Sequence, residues 1–397
     1  MIKRPEYLDL LIAFKEKDLI KVVSGIRRCG KSTILELYQE YLLENGVDQS
    51  QIISVNFEEG DYVDITESKH LYNLVNEKLN PNKMNYVFLD EVQKVHEFET
   101  ACDSLYVKKN VDLYITGSNA YLLSGELATL LAGRYIEIKM MPLSFKEYIS
   151  AVGDTDLLKK YNNYITNGSF PYTLELKTKK EIKAYLDGVY TSVVLKDIVA
   201  PKKIADVAML DSVIKFIFDN IGNIASSTNI ANTATSKGRK MSVHTVENYL
   251  SALIESFMIY KVERYDIKGK QYLGSGHKYY VSDLGFRQYL LGDKPVDFGH
   301  ILENVVYLEL VRRGFQVYIG KIDDVEVDFI AIGEDGTEYY QVAYSVIEPE
   351  TLARELKPLD SIKDHNPKYL LTMDIVPKVS HNGIKQINAL DWLLDKE

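Results

Sequence analysis

The sequence predicts an α/β fold with a mostly parallel sheet in its first 150 residues, followed by a helical region and a second, mixed α/β region. Up to about residue 141, short apolar runs alternate with amphipathic stretches of helical period. Helical patterns dominate residues 151–220, and short strand-like runs return after residue 300. Strands that alternate with helices are typical of parallel sheets, and this alternation predicts the fold class.

The predicted strands of the first region are short apolar runs, of which the first occupies residues 18–25. From Lys31 onward, apolar residues recur at a period near 3.6, which predicts a helix that ends before Gly46. The later runs are QIISVNFE, NYVFLDEV, VDLYITGS and RYIEIKMM. The pattern breaks near Pro142, so we place the end of this region at about residue 150.

Composition and charge exclude several classes of protein. The 397 residues carry 47 Lys and Arg against 57 Asp and Glu, a net charge of −10, which does not suit a basic nucleic-acid coat protein. Cys29 and Cys102 are too few for a disulfide framework, and no two histidines have the spacing of a metal site. The scarcity of cysteine fits a reducing cytoplasm, where we expect the protein to be. No apolar run approaches the roughly 20 residues of a membrane span, so we expect no membrane partner.

Residues 25–33, GIRRCGKST, fit the pattern G-x-x-x-x-G-K-[ST] and are called the phosphate loop below. A predicted strand precedes this loop and a helix follows, so its backbone N–H groups would face a phosphate. Lys31 would reach the β- and γ-phosphates of ATP, and the Ser32 hydroxyl would ligate Mg²⁺. The predicted nucleotide-binding residues are Gly25, Ile26, Arg27, Arg28, Cys29, Gly30, Lys31, Ser32 and Thr33. The alternative is a glycine-rich turn with a surface lysine.

The variable positions of the phosphate loop carry two arginines and a cysteine. We expect either Arg27 or Arg28 to touch phosphate while the other faces solvent. Cys29 is expected to be a small filler residue.

Two adjacent acids, Asp90 and Glu91, directly follow the apolar residues 86–89. A buried strand would deliver both acids to the carboxyl edge of the sheet, where the phosphates would lie. Asp90 would hold Mg²⁺ through water, and Glu91 would polarise the attacking water as general base. The alternative is the solvated start of a loop.

The next predicted strand ends in small polar residues that include Thr116 and Ser118. Either hydroxyl would lie between the two acids and the γ-phosphate if this strand also ends at the carboxyl edge. Capping of the strand end is the plainer interpretation, because such residues are common there.

Together these segments resemble the AAA-type (AAA+) ATPases of bacteria and archaea that carry a C-terminal domain of unknown function. The likeness covers nearly the whole chain and includes, in order, GIRRCGKST, VFLDEVQKV, the block from ITGSNAYLL to PLSFKEY, GSFPY and YTSVVLKDIV. The block ending in PLSFKEY is the most specific part, because phosphate loops occur in many families. The resemblance implies a three-layer P-loop NTPase core, and it supports ATP and Mg²⁺ as the ligands.

The same resemblance implies two further roles near the nucleotide. Thr116 or Ser118 would be the sensor group that responds to the γ-phosphate. Arg134, in the segment AGRY, would act on the nucleotide of the same chain or as a finger into a neighbouring subunit of a homo-oligomer. A surface position is the plainer expectation for this arginine from charge alone.

We divide the chain into four predicted domains. They are an AAA-type ATPase core at residues 1–150, a helical connector at 151–220, a winged-helix-like domain at 221–285 and a degenerate nuclease-like domain at 286–397. The third domain is predicted from a helix, a basic turn, a second helix and a two-stranded wing.

Residues 235–278, within the winged-helix-like domain, hold eight basic and four acidic residues, so their charge is 8 − 4 = +4 in an acidic chain. A helix in the major groove with basic flanks is one use of such a shape, which predicts DNA as a partner. Winged helices also bind proteins, so a protein partner is the alternative.

The last region resembles the PD-(D/E)xK nuclease fold, whose sites combine an acid on a helix, an acid on a strand and an acid-x-lysine on the next strand. Glu303 and Asp328 fit the first two positions, whereas Gln341 and Ala343 stand where the third acid and the lysine belong. An amide is a poor ligand for a hard cation, and alanine cannot orient water. We therefore expect the fold without nuclease activity.

The function that these features favour is Mg²⁺-dependent ATP binding and hydrolysis, coupled to a C-terminal interaction module. The alternative is a nucleotide-gated DNA-binding regulator in which hydrolysis is incidental. Salt-sensitive DNA binding that depends on Lys237, Arg239 and Lys240 would favour the alternative.

Overall fold

A computed structural model describes residues 2–117, 131, 133–236, 240–292, 294, 297–375 and 379–396. The chain divides into two compact units, and each is described by itself. The first contains Met1–Pro142, Thr191–Asp197 and Glu255–Phe257, and the second contains Leu143–Tyr190, Ile198–Ile254 and Met258–Glu397. Within the described ranges, no helix has both the length and the apolar character that crossing a bilayer requires.

The first unit is built on a five-stranded parallel sheet within the part of the chain that the structure describes. Its strands are β1 Ile20–Ser24, β2 Ile52–Asn56, β3 Asn85–Asp90, β4 Val111–Gly117 and β5 Tyr135–Lys139. Their order across the sheet is β2-β3-β4-β1-β5. Each strand lies within one of the predicted apolar runs, so the predicted parallel α/β core is confirmed.

Helices cover both faces of this sheet because side chains along a strand alternate between the faces. On one face, the rings of Phe88 and Tyr114 pack against Tyr38 of helix α2 at centroid distances of 6.1 and 5.1 Å. On the other face, neighbouring strand residues such as Val87 share a core with Leu71 and other side chains of α3 and α4. The described helices are α1 Pro5–Ala13, α2 Lys31–Glu44, α3 Ser68–Lys78 and α4 Phe98–Tyr106. The unit therefore has three layers.

The register of the parallel strands brings three strand ends to one edge of the sheet. Ser24, at the end of β1, pairs with Gly117 at the end of β4. Asp90, at the end of β3, pairs with Asn56 of β2, while Leu89 pairs with Ile115 of β4. The segments that follow β1, β3 and β4 thus start side by side at the carboxyl edge.

The second unit contains an eight-stranded mixed sheet in the described ranges. Its strands are β6 Ile259–Asp266, β7 Gln271–Val281, β8 Gln316–Ile322, β9 Val325–Gly333, β10 Gly336–Ala343, β11 Lys368–Thr372, β12 Val379–His381 and β13 Ile384–Asn388. They lie in the order β12-β13-β11-β10-β9-β8-β6-β7.

Helices that lie wholly or mostly in the second unit are joined by shorter helical turns. They are α5 Phe145–Val152, α6 Leu157–Asn167, α7 Lys179–Ser192, α8 Val207–Asp219, α9 Ser227–Ser236, α10 Val243–Glu255, α11 Leu284–Leu291, α12 Phe298–Arg312, α13 Pro349–Ser361 and α14 Ala389–Leu393. The predominance of helix predicted for residues 151–220 is present. A π-helical segment at Val193–Val199 follows α7.

The hairpin predicted as the wing of a winged helix does form, as β6 and β7. It is not a free wing, however, because Arg264 of β6 pairs in parallel register with Ile319 of β8. The backbone N–H and C=O groups at an open sheet edge lack hydrogen-bond partners, and strand β8 provides partners for β6. The predicted boundary after residue 285 thus falls between segments that share one sheet.

Candidate functional site

The phosphate loop connects the carboxyl end of β1 to the first turn of α2. Gly30 forms the N-terminal cap of α2 in the left-handed conformation, with φ of 106°. Gly25 has φ of 148°, and a Cβ at this position would lie 2.1 Å from the carbonyl oxygen of Met140. Glycine is therefore required at residue 25 both by backbone conformation and by close packing.

We expect Gly25→Ala to destabilise the first unit and to weaken ATP binding, because the methyl group overlaps backbone that has no room to move. The free energy of unfolding should fall by about 1–3 kcal/mol for the disfavoured backbone conformation alone, and the overlap with Met140 adds to this loss. Thermal unfolding followed by circular dichroism, together with calorimetric titration of ATP, would measure both effects. Gly188→Ala is the control, because that helical glycine has open space around it and alanine favours helix. Equal unfolding temperatures for the two variants would contradict the packing argument.

Lys31 lies at the start of α2 with its side chain almost fully buried over the phosphate loop. Its Nζ donates to the carbonyl oxygens of Gly25 at 3.1 Å and Ile26 at 3.4 Å. The same ammonium lies 4.0 Å from Oε1 of Glu91. The structure thus brings together the predicted phosphate-binding lysine and the predicted general base.

The predicted acids and the predicted sensor hydroxyl also meet at the carboxyl edge. The Thr116 hydroxyl donates to Oδ1 of Asp90, and Thr116 Oγ1 accepts a hydrogen bond from the backbone N–H of Glu91 at 3.0 Å. Burial raises the pKa of the Asp90 carboxyl, although hydrogen bonds from the Ser32 and Thr116 hydroxyls act in the opposite direction. Ser32 of the phosphate loop therefore lies beside Asp90, as a shared Mg²⁺ site requires.

Glu91 adopts a left-handed backbone conformation, with φ of 54°, immediately after β3. For a residue with a side chain, this conformation costs about 1 kcal/mol and is concentrated at functional sites. The Gln93 Nε2 donates to Glu91 Oε2 at 2.6 Å and so fixes the direction of the carboxylate. Glu91 is 7% exposed, which keeps its carboxylate largely out of bulk water.

The two arginines of the phosphate loop have different environments, and contact of either one with a phosphate stays a prediction. Arg28 is exposed, whereas Arg27 is partly buried and ion-paired with Asp197 and Glu58. Cys29 is fully buried, burial raises the pKa of its thiol, and its Sγ lies 3.4 Å from the Met140 carbonyl oxygen. That environment suits a packed filler residue. Ser118 lies outside the described residues.

Arg134 lies at the amino edge of the sheet. It directly precedes β5, whose Tyr135 pairs with Ile20 at the start of β1. The phosphate loop leaves β1 after Ser24, about 13 Å further along at 3.3 Å per residue. The Arg134 guanidinium instead pairs with Asp103 of α4. This position does not fit the expectation that Arg134 acts on the nucleotide of its own chain, and its role as a finger into a neighbour stays a prediction.

The basic segment at residues 235–278 presents less positive charge than its composition indicates. Lys278 is buried and paired with carboxylates, and the exposed Lys268 is paired with Asp323. Lys237 and Arg239 lie outside the described residues. DNA as a partner therefore stays a prediction that rests on the sequence.

The acids predicted for the nuclease-like region do come together, around a lysine that the sequence prediction missed. Lys278 of β7 has its Nζ 2.8 Å from Glu303 and from Glu326, and 3.9 Å from Asp328. Gln341 accepts from the backbone N–H of Asp328 at 3.3 Å. The Lys278 ammonium is already paired with Glu303 and Glu326, and the described residues contain no group of three His, Cys, Asp or Glu arranged to hold a metal. The cluster does not fit a divalent cation.

Family models and relatives that match the sequence show the family to which the chain belongs. An AAA domain model matches residues 17–149, and a domain of unknown function (DUF8612) matches residues 158–297. An uncharacterized protein of Haemophilus influenzae is 41% identical over 399 aligned positions, which cover 99% of each chain. An uncharacterized protein of Methanocaldococcus jannaschii is 32% identical over 87% of this chain and 79% of that protein. The chain belongs to the family of these two proteins.

In this chain, a match to an AAA domain is followed by a match to a domain of unknown function, as the resemblance implied. Among solved structures, the Walker-type ATPase PABY2304 of Pyrococcus abyssi is similar, with a TM-score of 0.52 and 15% identity. The similarity covers 73% of this chain and 96% of that one, and at this identity it shows the fold alone. The P-loop NTPase core is thus confirmed, whereas the winged-helix and nuclease-like assignments stay predictions.

The charged residues of these sites that sequence reasoning missed include Asp197, Glu58, Glu326 and Lys278. Asp197 lies in YTSVVLKDIV, a segment of the family resemblance to which no role was given. Lys278 was counted among the basic residues of the predicted DNA-binding segment. The available signal was the two-residue period of a strand, which puts Lys278 on the same face of β7 as Tyr280, a residue that is fully buried.

Proposed function

We propose that the protein binds ATP with Mg²⁺ and hydrolyses it, and that hydrolysis is coupled to the C-terminal region. The observation that carries this proposal is the connected set of Lys31, Asp90, Glu91 and Thr116 at one sheet edge. A glycine-rich turn with a surface lysine would not bury the lysine against the loop and place it 4.0 Å from a strand-end carboxylate.

The residues present fit a bound Mg²⁺ ion. Ser32 supplies a hydroxyl and Asp90 a carboxylate, and Mg²⁺ prefers oxygen ligands and needs few of them when phosphates and water complete its shell. When bound, the ion would neutralise charge on the phosphates.

The side chains of this chain divide the remaining work. Backbone N–H groups of the phosphate loop and the Lys31 ammonium would hold the β- and γ-phosphates. The Glu91 carboxylate, oriented by Gln93, would accept a proton from the attacking water. Thr116 fixes Glu91 and Asp90 relative to each other, so it serves as a positioning residue with the location expected of a sensor.

An arginine from outside the chain would complete this arrangement. Because Arg134 lies at the amino edge, stabilisation of the transition state by this residue requires a neighbouring subunit. We therefore propose that turnover by an isolated subunit is slow and rises when copies of the chain, or a partner, associate.

Phosphate release from ATP with Mg²⁺ tests the proposal, with the full chain compared with Lys31→Ala. Wild-type turnover that is lost in Lys31→Ala is expected, because the lysine ammonium is the group assigned to both the β- and the γ-phosphate. Lys109→Ala is the matched control, since Lys109 is exposed in the loop before β4 at the opposite edge of the sheet. Equal turnover in Lys31→Ala and Lys109→Ala would overturn the assignment.

The same assay with duplex DNA at low salt separates the coupled ATPase from the nucleotide-gated DNA-binding regulator. An increase in turnover with DNA would identify nucleic acid as the partner class. Salt-sensitive DNA binding without turnover would favour the regulator.

A further inference from the structure

Arg27, in the phosphate loop, is held by two carboxylates. Its Nε and Nη2 donate to Oδ2 and Oδ1 of Asp197 at 3.2 and 3.0 Å, the two-point geometry of a strong guanidinium–carboxylate pair. Its Nη1 donates to Oε1 of Glu58 at 3.3 Å. Asp197 lies 170 positions away in the sequence, so only the fold brings this carboxylate to the loop.

Asp197 is the last residue of Thr191–Asp197, the segment that belongs to the first unit. Its side chain is 4% exposed. Burial raises the pKa of Asp197; the Arg27 guanidinium lowers it, Glu91 raises it and Lys31 lowers it. The two hydrogen bonds from Arg27 hold the Asp197 carboxylate against the phosphate loop, to which we assign the terminal phosphates.

A nucleoside triphosphate would offer Arg27 a competing ligand. Phosphate oxygens accept a pair of hydrogen bonds from a guanidinium just as carboxylate oxygens do. The Nε and Nη2 groups of Arg27 cannot donate to a carboxylate and to a phosphate in this paired way at the same time. We propose that Asp197 is a specificity-determining residue whose carboxylate competes with the γ-phosphate of a nucleoside triphosphate for Arg27. The proposal deepens the proposed ATP binding and rests on it.

The competition acts differently on the triphosphate and the diphosphate. ADP has no γ-phosphate, so it leaves the Arg27–Asp197 pair closed. ATP has to open the pair before Arg27 can reach its terminal phosphate, and part of the binding free energy is used for that step. The Asp197 carboxylate therefore lowers the preference of the site for ATP over ADP.

Calorimetric titration of the full chain with a non-hydrolysable ATP analogue and with ADP, each with Mg²⁺, tests this proposal. Asp197→Asn removes the competing charge and keeps the shape of the side chain. We expect the ratio of triphosphate to diphosphate affinity to rise about three- to tenfold, the size of one partly buried charge interaction. Glu58→Gln is the graded control, because the Glu58 side chain is 43% exposed and its effect should be less than about twofold.

A double-variant comparison separates competition from a general disturbance of the loop. In Arg27→Gln the γ-phosphate has no guanidinium to bind at residue 27. Adding Asp197→Asn to this variant should therefore leave the ratio of triphosphate to diphosphate affinity unchanged. Asp197→Glu should restore the wild-type ratio, because it keeps the carboxylate.

The proposal is overturned if Asp197→Asn weakens the triphosphate or changes both affinities equally. It would also be overturned if Asp197→Asn acts just as strongly in the Arg27→Gln background. A wild-type chain that binds neither nucleotide would instead remove the proposed function, and this inference would fall with it.

Discussion

Replacement of Glu91 by glutamine is expected to leave ATP binding intact and to lower phosphate release by about 10²–10⁴-fold. The amide cannot accept the proton of the attacking water, yet it has the size of the carboxylate and can still interact with Gln93. Glutamine can occupy the same position, 4.0 Å from the Lys31 ammonium, so the substitution changes chemistry with little change in shape.

Single-turnover phosphate release and calorimetric binding, measured on the same preparation, would separate the two effects. Gln93→Ala is an informative companion, because it removes the group that orients Glu91 and should lower turnover by a smaller factor. Normal turnover in Glu91→Gln would mean that another group takes the proton, and the general-base assignment would be abandoned.

Replacement of Lys278 by methionine is expected to destabilise the second unit by about 3–5 kcal/mol, the usual cost of removing one partner from a buried ion pair. Lys278 is the cation that faces Glu303, Glu326 and Asp328 at distances of 2.8, 2.8 and 3.9 Å. Methionine fills a similar volume but leaves these carboxylates without their counter-charge.

Urea unfolding followed by the fluorescence of Trp392 would measure this loss, because Trp392 is the single tryptophan and is buried in the second unit. Lys268→Met is the matched control on the same hairpin, since Lys268 forms an exposed pair with Asp323 worth less than about 1 kcal/mol. A loss in Lys278→Met no larger than in the control would contradict the central role of the buried ammonium.

The pH dependence of the Lys278→Met variant provides a second check. Burial and the charge of Glu303 raise the pKa of Asp328 well above its usual value, whereas Lys278 lowers it. Without the lysine the pKa of Asp328 rises further in the folded state. A carboxyl group with a raised folded-state pKa contributes stability at low pH and loses that contribution as the pH rises. The deficit of the variant should therefore be smaller near pH 5 than near pH 8.

The sequence predicted local features more reliably than contacts between distant segments. The strands and the phosphate loop follow from periodicity and from spacing, both of which act over a few residues. The direction of each strand also follows, because a parallel sheet collects its strand ends at one edge. Asp90 and Thr116 could thus be placed together before their hydrogen bond was known.

Long-range pairing was the part that the sequence could not predict. No local pattern indicates that Asp197 reaches Arg27 or that a lysine on β7 meets acids on α12 and β9. Arg134 is a related case. The family resemblance implied that it acts near the nucleotide, but it did not indicate at which edge of the sheet the residue lies. Its place before β5, rather than after it, separates it from the phosphate loop of its own chain.

Because Arg27 and Asp197 are far apart in the sequence, the boundaries chosen for this AAA domain decide whether both residues are included. The match to the AAA domain ends at residue 149, yet the first unit includes Thr191–Asp197. A fragment cut at the end of the match would carry the phosphate loop without the carboxylate that pairs with Arg27. Such a fragment should report a nucleotide preference that differs from that of the intact protein. For the same reason, a gene segment that encodes only the matched AAA domain would, when moved to another gene, encode Arg27 without Asp197.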